Sequence, residues 1–266
     1  MKLTEINIYP IKSMGSISLK EATVLPAGLQ YDRRWLLLDG DGKFQTQRNL
    51  AEMAKVKFEW TENGFVANYL GGKIEPIIIP FSKPDAPIIT TQVWDDKVAA
   101  RMLPENINDW FSEVFKQKCQ LVRIEENAVR KSTKEKPDKI SSFADITPFL
   151  IIGEASLIDL NNRLETPIPM SRFRTNFVFS GGDAFAEDEW DEFKIGAIHF
   201  KKYKKCGRCK VTTIDQETGI KMGEEPLATL NTYRKEDRNL NFGVRAFLEA
   251  KQGEGIIKLN DEVAFV

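Results

Sequence analysis

The sequence predicts a mixed, mostly β protein with a few helices, on the basis of three observations. Residues 1–103 contain many short runs of strand-forming residues separated by turn residues, which is typical of a β-barrel or a β-sandwich. The span Glu105–Lys116 carries its apolar residues at helical spacing, on a single stripe. The remaining residues alternate further short strands with two helical patterns. With 266 residues and 42% hydrophobic content, the chain is long enough for one large domain or two smaller ones.

Strand patterns fill the first part of the chain. The turn signals between them include Gly28, Asp39–Gly42, Glu62–Gly64 and Gly71, where glycine and its acidic or amide neighbours favour tight reversals. The predicted strands are Leu3–Tyr9, Leu19–Leu25, Trp35–Leu38, Lys43–Thr46, Lys55–Trp60, Phe65–Tyr69, Ile77–Ile79, Thr90–Trp94 and Val98–Met102.

The second part of the chain mixes strands, helices and polar loops. Glu125–Ser142 is polar and charged, which predicts a long loop that is either a solvated linker, the commoner use of such loops, or a lid. The other predicted elements are the strands Cys119–Ile124, Phe149–Ile152, Phe177–Ser180, Ile195–Phe200, Val211–Ile214, Ile256–Leu259 and Val263–Val266, a helix from Glu154 to Leu164, and a helix that begins at Pro226 and buries Leu227, Leu230 and Tyr233.

Net charge and cysteine usage exclude several classes of protein. The chain has 38 Lys and Arg against 39 Asp and Glu, so it lacks the overall basic field of a protein that binds nucleic acid as a polymer. We see no signal segment, and no stretch reaches the length of a membrane span. Three cysteines, an odd number, make no disulfide framework. We therefore expect a cytoplasmic protein.

The densest positive charge surrounds two of the cysteines. Six of the ten residues Lys201–Lys210 are Lys or Arg, so a thiol among them should ionise more readily than a free cysteine. We expect Cys206 and Cys209 to lie on a short loop between two strands. Their C-x-x-C spacing also fits a redox dithiol or half of a zinc site. Zinc would require Cys119 and His199 to converge on the pair, whereas we expect a core position for Cys119 and an outer strand face for His199.

Polar residues in other segments complete a candidate pocket. Arg174 can bind a phosphate or a ring carbonyl through its guanidinium fork, and the amide of Asn176 can both donate and accept. Lys12, Ser13 and Arg33 would add a cationic, hydroxylated wall. Each of these residues alone fits a solvated surface. Together with a thiolate they describe a site for an anionic heteroaromatic ligand that also needs a sulfur donor, which a metal chelated by a pterin phosphate would satisfy.

Nearly the whole sequence resembles the MOSC proteins, in the branch that pairs an N-terminal MOSC β-barrel with the MOSC domain and includes the mitochondrial amidoxime-reducing component and its bacterial relatives. The motifs that carry the resemblance occur in a fixed order: IYPIKS (Ile8–Ser13), YDRRW (Tyr31–Trp35), ITPFLIIGEASLIDLNNRL (Ile146–Leu164), RFRTNFVFSG (Arg172–Gly181), FAEDEWDEFKIG (Phe185–Gly196), CGRCKVTTIDQETG (Cys206–Gly219) and EPLATLNTYR (Glu225–Arg234).

The resemblance implies a fold and a site. It implies an N-terminal MOSC β-barrel domain at 1–118, packed on a MOSC β-barrel domain at 119–266 that binds a molybdenum cofactor, molybdenum with molybdopterin. It implies that Cys209 is the metal ligand and catalytic residue, whereas Cys206 is not implied as a ligand. The residues implied to hold the pterin are Lys12, Ser13, Arg33, Thr147, Arg174, Asn176 and Arg208.

The resemblance also implies an activity, the reduction of N-hydroxylated compounds such as hydroxylamines, amidoximes or N-hydroxylated bases. Some bacterial relatives end in an iron–sulfur domain, and no cysteine follows Cys209 here, so we expect a separate ferredoxin-like or cytochrome-type protein to supply electrons. Two other functions stay open. One is a carrier of sulfur or of the cofactor, with a persulfide on Cys209, and the other is a binding protein without turnover.

Overall fold

The computed structural model describes residues 1–126, 128, 142–249 and 253–266, and its fold is mostly β, which confirms the predicted class. The strands of the first part are β1 (Lys2–Ile8), β2 (Ile17–Leu19), β3 (Glu21–Leu25), β4 (Gly28–Leu29), β5 (Trp35–Asp39), β6 (Val56–Trp60), β7 (Gly64–Tyr69), β8 (Ile77–Pro80), β9 (Ile88–Val93), β10 (Asp96–Met102) and β11 (Cys119–Ile124). The later strands are β12 (Phe149–Gly153), β13 (Phe177–Ser180), β14 (Glu192–Ile195), β15 (Ile198–Gly207), β16 (Lys235–Glu236), β17 (Asn239–Leu248), β18 (Gly255–Lys258) and β19 (Val263–Phe265).

The strands form one large and three small sheets within the described residues. The large sheet has the order β19-β14-β15-β17-β12-β13-β1-β2, with β16 paired to β17. The small sheets have the orders β5-β11-β10-β9, β18-β3-β4 and β6-β7-β8. In the residues that the structure describes, neither the large sheet nor any small one closes on itself through hydrogen bonds. Strands from the two ends of the chain pair with each other, β1 with β13 and β3 with β18. The first and last thirds of the sequence are therefore held side by side.

The helices are α1 (Glu105–Phe115), which contacts β8 and β11, α2 (Glu154–Asn161), which contacts β12 and β13, and α3 (Leu227–Tyr233), which contacts β16 and β17. In α1 the predicted stripe is buried, including Ile107, Trp110 and Phe111, and the helix ends where Lys116 takes a left-handed conformation at φ 52°. Against expectation, α2 stops at Asn161, three residues before Leu164, and α3 begins one residue after Pro226. Of the residues that α3 was expected to bury, Leu230 is buried, whereas its two partners stay partly exposed. None of the helices in the described residues is long and apolar enough to cross a membrane.

The structure corrects the prediction around the two cysteines. A single strand at Ile195–Phe200 is wrong, because the chain turns at Gly196, with φ 56°, and separates β14 from β15. A strand at Val211–Ile214 is also wrong, since Lys210–Thr213 form a 3-10 helix. There the hydroxyls of Thr212 and Thr213 donate to the carbonyls of Cys209 and Lys210 at 3.0 and 2.8 Å, and these local bonds compete with strand pairing.

Other expectations also change. The predicted strand Lys43–Thr46 is wrong, because it makes only one bridge, between Phe44 and Leu38, and Leu19–Leu25 divides into two strands at Lys20. The long strand β17, between β12 and β15 in the large sheet, was not predicted. Most of the predicted loop Glu125–Ser142 lies outside the described residues.

Candidate functional site

A single cavity of about 190 Å³ collects every residue that the sequence singled out for the site. Its volume is well above that needed for one water molecule, so a ligand group can enter. The predicted residues that line it are Lys12, Ser13, Arg33, Thr147, Arg174, Asn176, Arg208 and Cys209. The lining residues that the prediction left without a role include Arg48, Asp145, Arg172, Cys206 and Arg245.

The sheets bring these distant segments together at strand ends. Lys12 follows β1, and its backbone N–H donates to the carbonyl of Trp35 at 2.9 Å, which places the start of β5 and Arg33 beside it. Asn176 immediately precedes β13, the neighbour of β1, and its N–H donates to the carbonyl of Leu150 in β12. The cavity therefore lies where β1, β5, β12 and β13 begin or end.

Three of the predicted residues have a strained backbone. Ser13, Arg33 and Arg174 have φ of 66°, 50° and 55°, in the left-handed region that residues with a Cβ seldom adopt. Such conformations persist only where the surroundings enforce them, and they concentrate at functional sites. The strain thus falls on the same residues that the sequence assigned to ligand binding.

Asn176 holds Arg33 in place. The amide nitrogen of Asn176 donates to the carbonyl of Asn7 at 3.0 Å and to the carboxylate of Asp32 at 3.2 Å, and its oxygen accepts from Arg33 at 3.3 Å. The guanidinium of Arg33 also pairs with Asp32 and donates to the carbonyl of Arg174 at 3.1 Å. Because both ends of the Asn176 amide have protein partners, Asn176 positions the wall of the cavity.

Arg174 lies deep beside a buried tyrosine. Its guanidinium stands 4.3 Å from the ring centre of Tyr9, which Arg33 also approaches at 4.4 Å, and it donates to the side-chain oxygen of Gln216 at 3.2 Å. Burial lowers the pKa of Arg174 to about 10 and raises the pKa of Tyr9 to about 12, so Arg174 stays charged and Tyr9 neutral at physiological pH. The deep wall therefore presents a fixed positive charge.

Cys206 has the environment of a buried thiolate. It lies within β15, not on the expected loop, and its sulfur accepts from Arg208 at 2.9 Å and from Arg245 at 3.3 Å. Burial alone would raise its pKa, but the charges of Arg208 and Arg245 lower it to about 7. The neighbouring lysines expected to cause such a shift instead face acidic partners, for example Lys201 with Glu192.

Cys209 is half-buried and meets a residue from the first part of the chain. Its sulfur accepts from Nη2 of Arg48 at 3.3 Å, and that nitrogen lies 3.5 Å from the carboxylate of Asp145. Asp145 also pairs with Lys12, and although burial favours its neutral form, Lys12 and Arg48 hold its pKa well below the usual range. No signal in the sequence links Arg48 to Cys209, because 161 positions separate them. Asp145 directly precedes a recognised motif and could have been noticed there.

The remaining cysteine, Cys119, and the histidine, His199, lie in β11 and β15. Cys119 is the first residue of β11 and is buried, and burial raises its pKa to about 11, which confirms the predicted core position. His199 lies in β15, seven positions before Cys206. In the described residues, no group of three or more His, Cys, Asp or Glu side chains could hold a metal ion by itself.

The cavity fits an anionic group. Among its described lining residues, seven are Lys or Arg, and Asp145 is the one acid. Within the residues that the structure describes, Nη2 of Arg174 and Nε of Arg208 are buried and have no hydrogen-bond acceptor. Leaving such donors without an acceptor is unfavourable, and the phosphate of a pterin cofactor would supply acceptor oxygens. Together with the half-buried sulfur of Cys209, this donor set suits a phosphorylated ligand that also carries a thiophilic metal.

Comparison with known proteins covers the same two parts of the chain. A family model described as the MOSC N-terminal beta barrel domain matches residues 1–118, and one described as the MOSC domain matches residues 138–264. The mitochondrial amidoxime-reducing component 1 of Homo sapiens is 31% identical over 98% of this chain and 82% of its own length. The protein of the same name from Xenopus laevis is 29% identical over 98% of this chain and 81% of its own. The mitochondrial amidoxime reducing component 2 of Rattus norvegicus is 33% identical over 87% of this chain and 72% of its own.

Proposed function

Because the chain belongs to the MOSC family, with both a MOSC N-terminal β-barrel domain and a MOSC domain, we propose that it is a molybdenum-cofactor-dependent oxidoreductase that reduces N-hydroxylated compounds. The names of its relatives, amidoxime-reducing components, support this substrate class. The same proposal divides the chain into two domains, residues 1–118 and residues 119–266.

The observation that carries the proposal is the cavity itself. Eight residues assigned from separate motifs line it, and Arg174 and Arg208 contribute buried donors without acceptors. In this proposal Cys209 supplies the sulfur ligand and is the catalytic residue. The residues that bind the pterin are Lys12, Ser13, Arg33, Thr147, Arg174, Asn176 and Arg208.

The protein's own part in the reaction is binding, orientation and charge. When bound, the cofactor would supply the oxygen-atom transfer that removes the N-hydroxyl oxygen. Arg174, with its fixed charge beside Tyr9, and Arg208, stacked 5.1 Å from the ring centre of Phe173, would hold the phosphate. Asn176 would hold Arg33 in place, and Cys209, which is only half-buried, would hold the metal where a small substrate could reach it.

Electrons would come from a separate carrier, a ferredoxin-like or cytochrome-type protein. We expect the purified protein to show no reduction of benzamidoxime with NADH alone and to gain activity when a reduced dye or such a carrier is added. Robust turnover from NADH by the isolated protein would sink this idea. A cytoplasmic location stays a prediction.

The test of the proposed function is metal analysis of the purified protein together with a reductase assay. We expect about one molybdenum per chain, extractable pterin, and reduction of benzamidoxime or hydroxylamine by an artificial electron donor. Metal-free protein with a persulfide on Cys209 would instead support the sulfur-carrier alternative. Metal-loaded protein without turnover on any N-hydroxylated compound would support a binding protein.

A further inference from the structure

Arg48 connects the first part of the chain to the sulfur of Cys209. Its Nη2 lies 3.3 Å from the sulfur, in hydrogen-bond contact, and its guanidinium stands 4.9 Å from the ring centre of Trp94. Arg48 itself lines the cavity. Neither the sequence motifs nor the pterin-binding set includes it.

The backbone that carries Arg48 is fixed. Its N–H donates to the hydroxyl of Thr46 at 3.2 Å, inside a turn that the side chain of Asn49 also closes. The neighbouring Gln47 exchanges two amide hydrogen bonds with Gln216, both 3.0 Å long. Since Gln216 also binds Arg174, the turn is docked against the deep wall of the same cavity.

The partners of the guanidinium are fixed as well. Trp94 has φ 54°, a left-handed conformation that is strained for so bulky a residue, and its indole N–H donates to Asp145 at 3.2 Å. Asp145 is held in turn by Lys12. The indole and the carboxylate therefore hold the guanidinium of Arg48 in the orientation in which it reaches Cys209. Such preorganised support is typical of residues that orient a metal ligand.

We propose that Arg48 is a positioning residue of the molybdenum site, which acts through the sulfur of Cys209 by holding it and withdrawing electron density from it. The inference rests on the proposed function, in which Cys209 ligates the metal. Hydrogen bonds to ligand sulfurs and nearby positive charge stabilise the more reduced state of a metal site and raise its reduction potential. Arg48 therefore raises the potential of the bound metal, and the first part of the chain contributes to the redox chemistry.

The test compares two substitutions of Arg48 with a matched control. Arg48→Met removes the charge and the donor, whereas Arg48→Lys keeps the charge but loses the planar guanidinium that lies against Trp94 and places Nη2 between the sulfur and Asp145. Lys43→Ala removes one positive charge from the same region, at a side chain that is 77% exposed and away from the cavity. Thermal unfolding, molybdenum per chain and the one-electron potential of the metal, from a titration followed by electron paramagnetic resonance, are measured for each.

We expect all three variants to fold and to carry molybdenum. The potential should fall in Arg48→Met by enough to change the one-electron equilibrium about tenfold, which is about 59 mV, and by less in Arg48→Lys. Lys43→Ala should match the wild type. Should Arg48→Met fail to fold, the lysine variant carries the same comparison.

Three other outcomes would count against the assignment in different ways. An unchanged potential in loaded Arg48 variants overturns it. Complete loss of molybdenum from folded Arg48 variants, with Lys43→Ala loaded, overturns it in favour of a cofactor-binding role for Arg48. A wild-type protein that binds no molybdenum under any loading condition overturns the proposed function. Because this result needs no variant, it is distinguishable from a failure of the role assigned to Arg48.

Discussion

The two cysteines of the C-x-x-C motif lie three positions apart and have opposite surroundings. Cys206 is buried in β15 between the guanidinium groups of Arg208 and Arg245, both carried by the large sheet or its immediate continuation. Cys209 is half-buried, and the guanidinium of Arg48 that donates to its sulfur is shared with the carboxylate of Asp145. The sulfur of Cys206 is therefore paired with two guanidinium groups inside the protein, whereas the sulfur of Cys209 is accessible to a ligand.

This difference shows that spacing alone does not assign roles within such a motif. A redox dithiol or a zinc site would use both sulfurs in similar ways. Here the thiol with the lowered pKa is the buried Cys206, where it serves as counter-ion to two arginines, while the more accessible Cys209 is better placed to bind a metal. The buried sulfur with two arginine partners and the accessible sulfur therefore belong to different residues of the motif.

The largest effect that would test the comparison is loss of the sulfur of Cys209. Cys209→Ser replaces a soft thiolate with a hard, protonated hydroxyl that molybdenum binds poorly, so reduction of benzamidoxime by an artificial donor should fall to the assay background. Cys206→Ser keeps a small acceptor between Arg208 and Arg245. It should lose about tenfold at most, the low end of the range for residues around a metal ligand, because Cys209 is unchanged.

Activity and molybdenum content are measured together for the wild type and both serine variants. Comparable losses in the two variants would return the motif to a dithiol or zinc interpretation. An active Cys209→Ser protein would falsify its assignment as the metal ligand.

Much of the difference between Cys206 and Cys209 could not be predicted from the sequence. Regular strands were predictable: Cys119–Ile124 and Phe177–Ser180 have the predicted bounds, because short runs of strand-forming residues that end at charged residues or glycines determine them locally. The strand β17 was not predicted although Leu240, Phe242 and Val244 stand at alternate positions; Gly243, within the run, has φ 75° and is a residue that weakens a strand pattern.

The cavity residues were found through the motifs that carry the family resemblance, and the structure brings all of them together. What the motifs could not supply was the connection between them. The contact of Arg48 with Cys209 joins residues 161 positions apart, and the placement of Cys206 in a strand depends on the pairing of β15 with β17, which the motifs do not reveal. Charge density along the chain misled for the same reason: the lysines of β15 pair with acids, and a distant arginine, Arg245, reaches Cys206.

A smaller effect, on cofactor retention, would test whether the arginines of the cavity bind an anion. Arg174→Ala removes a buried guanidinium whose Nη2 has no acceptor, and it should weaken cofactor retention by about 1.5–3 kcal/mol, the range for a hydrogen bond to a charged group. Arg172→Ala is the matched control. Arg172 lines the same cavity, but its guanidinium donates to the carbonyl of Thr212 at 2.9 Å and pairs with Asp215.

Molybdenum that remains after dilution and dialysis gives the measurement for both arginine variants, with thermal unfolding as a check on folding. We expect Arg172→Ala to lose stability but to retain more molybdenum than Arg174→Ala. Equal retention in the two variants would show that satisfied and unsatisfied arginines contribute alike, contrary to the difference seen in the structure.

The smallest effect concerns the charge of Cys206 in the cofactor-free protein. Its pKa is about 7 in the folded protein, against an ordinary value of 9.0, because Arg208 and Arg245 outweigh burial. A depressed pKa means that the thiolate stabilises the fold. This contribution is complete above about pH 9, falls as the pH falls, and is absent below about pH 7. Within this window the free energy of unfolding changes by at most about 1.4 kcal/mol for each pH unit.

Urea unfolding of the wild type and of Cys206→Ser between pH 6.5 and 9.5 isolates this contribution, because the other titrating groups are common to both proteins and cancel in the difference. The wild type should gain stability relative to the variant as the pH rises through this window. In the folded protein, the ultraviolet absorbance of the wild-type thiolate, measured as the difference from Cys206→Ser, should rise around pH 7. If the difference in unfolding free energy stays flat, the two arginines do not hold Cys206 as an anion, and the contrast with Cys209 reduces to one of burial.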